Sequence, residues 1–272
     1  MAKTIFITGA SRGMGKLWAE ALLQRGDQVV ATARDLKSLD DLVTKYGNNV
    51  LPLQLDVNDR AAGFAAIQKA TQHFGSIDVL INNAGYGLFG SVEEVSEKDA
   101  RDQMETNFFG LLWITQAIVP VMRKQGHGHI IQVSSVLGLR PFPITGIYNA
   151  SKFAVEGLGE TLAIEVKGFG IDVTLVEPNS YATEWAGPSA VHATAIPEYD
   201  GIKAALYGGL TDDMFGVPEA TVPAMLQLID TENPPLHMFL GKYGNFLVKQ
   251  TYESRLAEWE SWNEVSVKAH GK

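Results

Sequence analysis

Tyr148-Asn149-Ala150-Ser151-Lys152 sets a phenol and an amine four residues apart. On a helix that spacing is one turn along one face. A tyrosine with its ordinary pKa near 10 is a poor acid–base catalyst at neutral pH. A cation ~4 Å away at an effective dielectric of ~20 is worth roughly 4 kcal/mol, or ~3 pKa units, which would bring the phenol near 7. Ser135 lies thirteen residues before Tyr148, at the end of the apolar run 130–133. A hydroxyl there can hold a carbonyl oxygen and stabilise a developing alkoxide. Proton transfer to a carbonyl oxygen, or from an alcohol, is chemistry these three groups can share. Tyr-x-x-x-Lys alone is a common and mostly structural spacing, so the assignment needs company.

That company starts near the N-terminus. Thr8-Gly9-Ala10-Ser11-Arg12-Gly13-Met14-Gly15 follows an apolar run and opens a helix-period stretch. Glycines there allow a tight turn and a close backbone approach to a pyrophosphate, and the helix start offers free N–H groups. Glycines also occur in plain turns, so position after a first strand is what gives this set its weight. An NAD site commonly places a carboxylate at the end of the second strand, on the ribose 2′-OH. Here that region reads Val29-Val30-Ala31-Thr32-Ala33-Arg34, with no acid until Asp35. Arg34 and Arg12 supply two guanidinium groups suited to a 2′-phosphate. The expected cofactor is therefore NADP(H).

The glycines fall at 9, 13 and 15, TGxxxGxG rather than GxGxxG. With Ser135, Tyr148 and Lys152 in order after them, the chain resembles the short-chain dehydrogenase/reductase family, in its shorter, non-extended branch. The resemblance covers residues 3–183 closely and the rest in outline. It implies a catalytic set of Asn107, Ser135, Tyr148 and Lys152, in which Asn107 holds a water linking the lysine to solvent. It implies that Lys152 also bonds the nicotinamide ribose and that Asp56-Val57 borders the adenine. Asn82-Asn83-Ala84-Gly85 matches the family's NNAG motif, which supports the sheet and borders the cofactor. Thr183 matches the threonine that contacts the carboxamide. The implied cofactor site is Gly9, Ser11, Arg12, Gly13, Met14, Gly15, Arg34, Asp56, Val57, Asn83, Ala84, Gly85, Tyr148, Lys152, Pro178, Tyr181 and Thr183. Two departures stand out. Pro178-Asn179 replaces the usual Pro-Gly, where asparagine tolerates a left-handed turn. Gln132 stands where an asparagine is common.

The elements that must position these groups alternate. Short β-rich runs at 4–8, 28–32, 50–55, 77–81, 129–133, 171–176 and 237–240 are separated by helix-period stretches. Those stretches lie at 13–25, 36–46, 61–74, 98–123, 149–167 and 218–230. Apolar runs alternating with helices indicate a doubly wound α/β fold, a seven-stranded parallel sheet covered on both faces. This is the Rossmann architecture that the resemblance implies for the whole chain, 1–272, as one domain. Over 179–216 the rhythm fails and glycine, proline and aromatics take over, as in a functional loop. The stretch 252–267 reads as a charged terminal helix within a C-terminal extension at 242–272.

Composition narrows the function classes. The chain has 272 residues, net charge −9 and no cysteine. Disulfides, thiolate nucleophiles and cysteine-ligated zinc are excluded, and an acidic balance argues against nucleic acid. No run of 18 uncharged apolar residues suggests a membrane span, and no apolar h-region follows Lys3, so a cytoplasmic protein is expected. The six histidines and the carboxylates show no ligand spacing, so no metal site is expected.

The candidate substrate residues are Ser135, Leu137, Phe142, Tyr148, Tyr181 and Trp185, with Tyr86, Leu88, Phe89, Leu139 and the loop to Phe215 nearby. They are largely apolar and aromatic, which suits a hydrophobic ketone or aldehyde. Lys203 is the cation of that loop closest to hand. Family members dimerise through the helices near 101–123 and 151–167, so the resemblance implies a homodimer. Some 30 residues past Gly241 would cover the second interface of a homotetramer. The leading expectation is an NADPH-dependent carbonyl reductase acting reversibly as an alcohol dehydrogenase. The alternative is a non-enzymatic NADPH-binding regulator on the same fold. A sugar-nucleotide epimerase of the extended branch has other glycine spacing and a longer chain.

Overall fold

The computed structural model describes residues 2–183, 185, 187 and 189–271. β1 (Thr4–Ile7) leads into α1 (Gly13–Arg25), β2 (Gln28–Ala33), α2 (Asp40–Tyr46), β3 (Val50–Gln54), α3 (Arg60–Phe74) and β4 (Val79–Asn82). β5 (Leu88–Phe89), α4 (Glu97–Met104), a π-helical turn (Glu105–Gly110), α5 (Leu111–Gln125), β6 (Gly128–Val133), α6 (Gly146–Val166) and β7 (Ile171–Pro178) follow. The remainder comprises β8 (Val191–His192), α7 (Asp200–Gly208), α8 (Thr221–Asp230), β9 (His237–Leu240), α9 (Gly244–Ser261) and α10 (Asn263–Ala269).

Seven strands form one parallel sheet in the order β3-β2-β1-β4-β6-β7-β9. Chain order reverses between β1 and β4, and in doubly wound sheets ligands bind outside the carboxyl ends of the strands at that point. The pleat divides the core in two. Ile5 and Ile7 of β1 pack with Trp18, Leu22, Met225 and Leu228 of α1 and α8. Phe6, pointing the other way, packs with Ile67, Ile114, Ile118 and Leu162 of α3, α5 and α6. Burial on both faces explains why the strands read as continuous apolar runs. Among the described residues no helix is long and apolar enough to cross a membrane.

The differences from the sequence reading have local causes. β4 begins at Val79, because the Ile77 backbone is bonded on both sides by the Gln125 side-chain amide, at 3.1 and 3.0 Å, instead of by a strand. α6 begins at Gly146, three residues before the expected start, so Tyr148 stands in its first turn. Thr145 and Asn149 build that start: both side chains donate to the Phe142 carbonyl, at 2.9 Å each. Within 179–216, whose Glu184, Ala186 and Pro188 lie outside the described residues, the chain forms α7 and pairs β8 with β5. The terminal helix starts earlier than expected, at Gly244, and breaks at Trp262.

Candidate active site

The glycine loop is built by exclusion. A Cβ on Gly15 would lie 2.4 Å from both the Gly9 carbonyl oxygen and Asn83 Nδ2. Gly9 has a φ of +69°, a left-handed value that glycine adopts freely. Asn83 clamps the loop from β4, donating from Nδ2 to the carbonyls of Thr8 (3.1 Å) and Gly9 (3.0 Å). The N–H groups of Asn83 and Ala84 both donate to Thr8 Oγ1, at 2.9 and 3.0 Å. At the start of α1, Arg12 is extended, makes no side-chain cap and is followed by no acid. The start of this 13-residue helix borders an open cleft of 830 Å³ lined by Ser11, Arg12, Gly13, Lys16, Ala182 and Thr183, with Glu20 and Glu219 also on its wall. Arg12 and Arg34 are exposed, and among the described residues neither is in an ion pair. Asp35 instead accepts from Lys37 N at 3.1 Å. The loop, the free helix end and the two cations fit a dinucleotide phosphate and a 2′-phosphate.

At the carboxyl ends of β6 and β4 lie four buried polar groups: Asn107 (1% exposed), Ser135 (8%), Tyr148 (4%) and Lys152 (6%). Lys152 donates to the Val133 carbonyl at 2.8 Å. Asn107 sits in the π-helical turn, the kind of insertion that recurs at functional sites. Its amide is fixed by Tyr86, accepting from the backbone N–H at 3.1 Å and donating to the carbonyl at 3.0 Å, with Ser151 Oγ at 3.3 Å. A Cβ on Gly85 would stand 3.1 Å from Asn107 Oδ1 and 4.0 Å from Lys152 Nζ, so both groups close on one glycine. Ile144, at φ 63°, is the only non-glycine with positive φ among the described residues. A β-branched residue held there stores about 1–3 kcal/mol of strain. Its carbonyl accepts from Gly90 N at 2.8 Å, which ties the segment before α6 to β5.

The family model for short chain dehydrogenases matches residues 3–192. The chain belongs to this family. Oxidoreductase BOA17 of Botryotinia fuckeliana is 37% identical over 98% of this chain and 99% of its own. A short-chain dehydrogenase from Streptomyces avermitilis superposes with a TM-score of 0.90 at 34% identity, covering 98% of each chain. A short chain dehydrogenase from Burkholderia cenocepacia, solved in complex with NADP, reaches 0.76 at 26% identity, covering 96% of this chain and 97% of its own.

In this short-chain dehydrogenase the phenol departs from expectation. Burial pushes the Tyr148 pKa up, and a hydrogen bond with Ser135 opposes this only in part. The Lys152 ammonium is 5.8 Å from the ring centroid and is spent on the Val133 carbonyl at 2.8 Å. Burial lowers Lys152 itself to about 8, with Glu156 acting the other way.

The other expected residues divide. Trp185 lies edge-on to Tyr148 at 4.9 Å and to Phe89 at 5.3 Å, forming an aromatic wall beside the phenol. Leu137 donates its N–H to Ser135 Oγ at 3.1 Å, and Phe142 supplies the carbonyl that starts α6. Leu88 is buried in β5, and Leu139 packs with Val136 and Val248 under α9. The Tyr181 ring packs against Gly216, where a Cβ would lie 2.6 Å from it. Val57 packs on Gly110 of the π turn, while Asp56 accepts from Asn58 N at 3.0 Å. Pro178 ends β7 opposite Leu240. Asn179 does not adopt the left-handed turn; Gly241 does, at φ 100°, and leaves room for the Asn179 side chain. Gln132 joins Asn82 (2.9 Å) and Thr115 (3.0 Å) in a buried network. Lys203 pairs with Glu94, which also accepts from the N–H groups of Ser91 and Ile196, at 2.8 and 2.7 Å, tethering α7.

One group escaped sequence reasoning. Glu156, Glu177 and His237 come from α6, β7 and β9, and their ligand-type atoms lie within 4.8 Å of one another. Residues on three separate elements leave no spacing signal in the chain.

Proposed function

We propose that the chain is an NADPH-dependent carbonyl reductase that converts a hydrophobic ketone or aldehyde to the alcohol, and runs in reverse as an alcohol dehydrogenase. The observation that carries this reading is the burial of Ser135, Tyr148, Lys152 and Asn107 together, with Asn107 and Lys152 against Gly85 and the neighbouring Asn83 bonded to the glycine loop. The residues proposed to hold NADP(H) are those named above, with Arg12 and Arg34 on the 2′-phosphate. When bound, NADPH supplies the hydride for the carbonyl carbon. Tyr148 donates its proton to the carbonyl oxygen, so the C=O bond becomes C–O–H. Ser135 holds that oxygen during the change, Lys152 holds the nicotinamide ribose and faces the phenol, and Asn107 steadies the route by which the proton is replaced. Trp185, Phe89 and Leu137 favour an apolar substrate flank. The aromatic cluster leaves no described cation free near the phenol, in keeping with a neutral substrate. We further propose a cytoplasmic homodimer formed through α5 and α6, where Phe153 and Ile164 are exposed.

NADPH consumption against a panel of ketones and aldehydes tests this, with Tyr148→Phe in parallel. Loss of the proton donor should remove about 10²–10⁴-fold of kcat while NADPH affinity is kept. A Tyr148→Phe variant with near-normal kcat would rule out the proposed acid. Tight NADPH binding with no turnover by the wild type would favour the regulator.

A further inference from the structure

We infer that Glu156, Glu177 and His237 form a binding site for a first-row divalent cation such as Zn²⁺, which ties α6 to the last two strands of the sheet. The inference is independent of the proposed reduction. Strands β7 and β9 pair with Leu175 opposite His237, and Glu177 stands two residues further along the same face of β7. That face is the one α6 covers, since Leu175 packs with Val155, and Glu156 follows Val155. Glu177 is fully buried (0% exposed) and Glu156 nearly so (4%). Neither carboxylate oxygen of Glu156 has a hydrogen-bond partner among the described residues, and Glu177 Oε2 has none. Buried carboxylates without partners are costly, and two of them facing one imidazole call for positive charge.

His237 Nδ1 lies 2.7 Å from Glu177 Oε1 and 3.7 Å from Glu156 Oε2, while its Nε2 is 3.7 Å from Glu160 Oε1. One ring nitrogen thus points at both buried carboxylates and the other at a third, outer one. A metal-binding imidazole is commonly oriented in this way, by a carboxylate on its second nitrogen. Donors held tetrahedrally at about 2.0–2.1 Å stand about 3.3 Å from one another. The 3.7 Å pair is close to that separation already. The 2.7 Å pair is a hydrogen bond, and it opens by about 0.6 Å when a cation takes the place of the proton. His237, 36% exposed at the rim, is the group with room to make that movement. Ser134 Oγ, also buried without a partner, is at hand for a fourth position: it and Glu156 Oε1 would meet a Cβ on Gly138 at 2.9 and 3.0 Å. Two carboxylates and a neutral imidazole balance a double positive charge, which removes the cost of burying the acids. Lys152, the cation one turn back on α6, is bonded to the Val133 carbonyl. An imidazole ligand favours Zn²⁺ over Mg²⁺ or Ca²⁺, which prefer oxygen alone.

The test titrates Zn²⁺ into the full chain, stripped with EDTA, by calorimetry at neutral pH, and follows thermal unfolding with and without the ion. The wild type should take up one Zn²⁺ per chain and unfold at a higher temperature with it. Glu160→Gln should weaken binding by about tenfold, as the loss of an orienting partner does, and His237→Gln and Glu177→Gln by more. His237 is at the surface, so its replacement removes a ligand without disturbing the core, and unfolding without Zn²⁺ checks each variant's fold. No binding heat and no rise in Tm in the wild type overturn the inference. Equal Zn²⁺ binding by wild type and His237→Gln also overturns it, since the ion would then sit on another surface pair such as His127 with Asp78. Displacement of Zn²⁺ by an equal concentration of Mg²⁺ or Ca²⁺ would exclude the imidazole as a ligand.

Discussion

Gly15→Ala tests the glycine loop most sharply, because sterics and helix propensity act in opposite directions there. Gly15 lies in the first turn of α1, where alanine in place of glycine normally gains about 1 kcal/mol. The new Cβ would meet the Gly9 carbonyl and Asn83 Nδ2, both at 2.4 Å. A backbone carbonyl cannot swing aside. Asn83 can move only by giving up its bonds to Thr8 and Gly9, each worth about 1 kcal/mol. Overpacking of this kind costs about 1–3 kcal/mol, so the clash outweighs the propensity gain by up to about 2. Tm should fall by up to about 8 °C, and NADPH should bind at least tenfold more weakly if the loop proposed to receive its phosphates is forced open. Gly13→Ala is the control. Gly13 has φ +56° with nothing within 4 Å of an added Cβ, so it brings about 1–2 kcal/mol of dihedral strain and no clash. Fluorescence titration with NADPH and thermal unfolding read both variants. If Gly15→Ala binds NADPH as well as Gly13→Ala does, the Gly9–Gly15–Asn83 contact is not what shapes the loop.

Arg34→Ala should lower the ratio of kcat/KM for NADPH over NADH by about tenfold or more, the value of one charge-assisted bond; an unchanged ratio would remove the 2′-phosphate assignment. His129 is buried against Thr174 and its pKa is lowered to about 4, first by desolvation and then by Lys3. The unfolded chain, with a histidine pKa near 6.5, takes up the proton first, so this stability is fully present above about 6.5 and lost towards pH 4, to the extent of about 3 kcal/mol. Urea unfolding across that window should show a flatter pH dependence in His129→Gln, and parallel curves would contradict the linkage. Asn82→Ala strips partners from Gln132 and Thr115 inside the sheet and should cost about 1–3 kcal/mol, seen as a lower urea midpoint at constant m.

What the chain reveals of itself depends on sequence distance. Tyr148 and Lys152 are four apart, and the glycines span seven residues, so both sets could be found by spacing. Asn107 could not: it needs a π-helical turn that no apolar period encodes, and only family resemblance pointed to it. Apolar runs at 4–8 and 129–133 exposed the sheet because those strands are buried on both faces. At Ile77 the same signal misled, since an isoleucine can be buried while its backbone is bonded by a side chain. α7 carries Ile202, Ala205 and Leu206 at helical spacing, but it is only nine residues long and set among glycines and prolines, so the stretch reads as loop. Glu156, Glu177 and His237 meet only through the sheet order that sets β7 between β6 and β9.

The phenol gives the clearest case of a local estimate undone by packing. Four residues of helix would let Lys152 stabilise a tyrosinate, but the ammonium turns to the Val133 carbonyl and Trp185 closes over the ring. Water is what stabilises a phenolate best, and burial withholds it from the Tyr148 ring, so the phenol's pKa moves up and not down. A firmly protonated phenol suits one direction of the chemistry. An alkoxide forming on the substrate is far more basic than a phenolate, so the transfer from Tyr148 remains downhill even with its pKa raised. Oxidation of an alcohol requires the phenolate at the outset and must first meet the cost of removing that proton. For the proposed reaction, the raised phenol pKa predicts a kcat for reduction that holds through the neutral range and a kcat for oxidation that rises towards alkaline pH. Forward and reverse kcat at saturating cofactor and substrate on one carbonyl–alcohol pair, from neutral to alkaline pH, would reveal that asymmetry. Parallel profiles in the two directions would show that the phenol does not carry the proton.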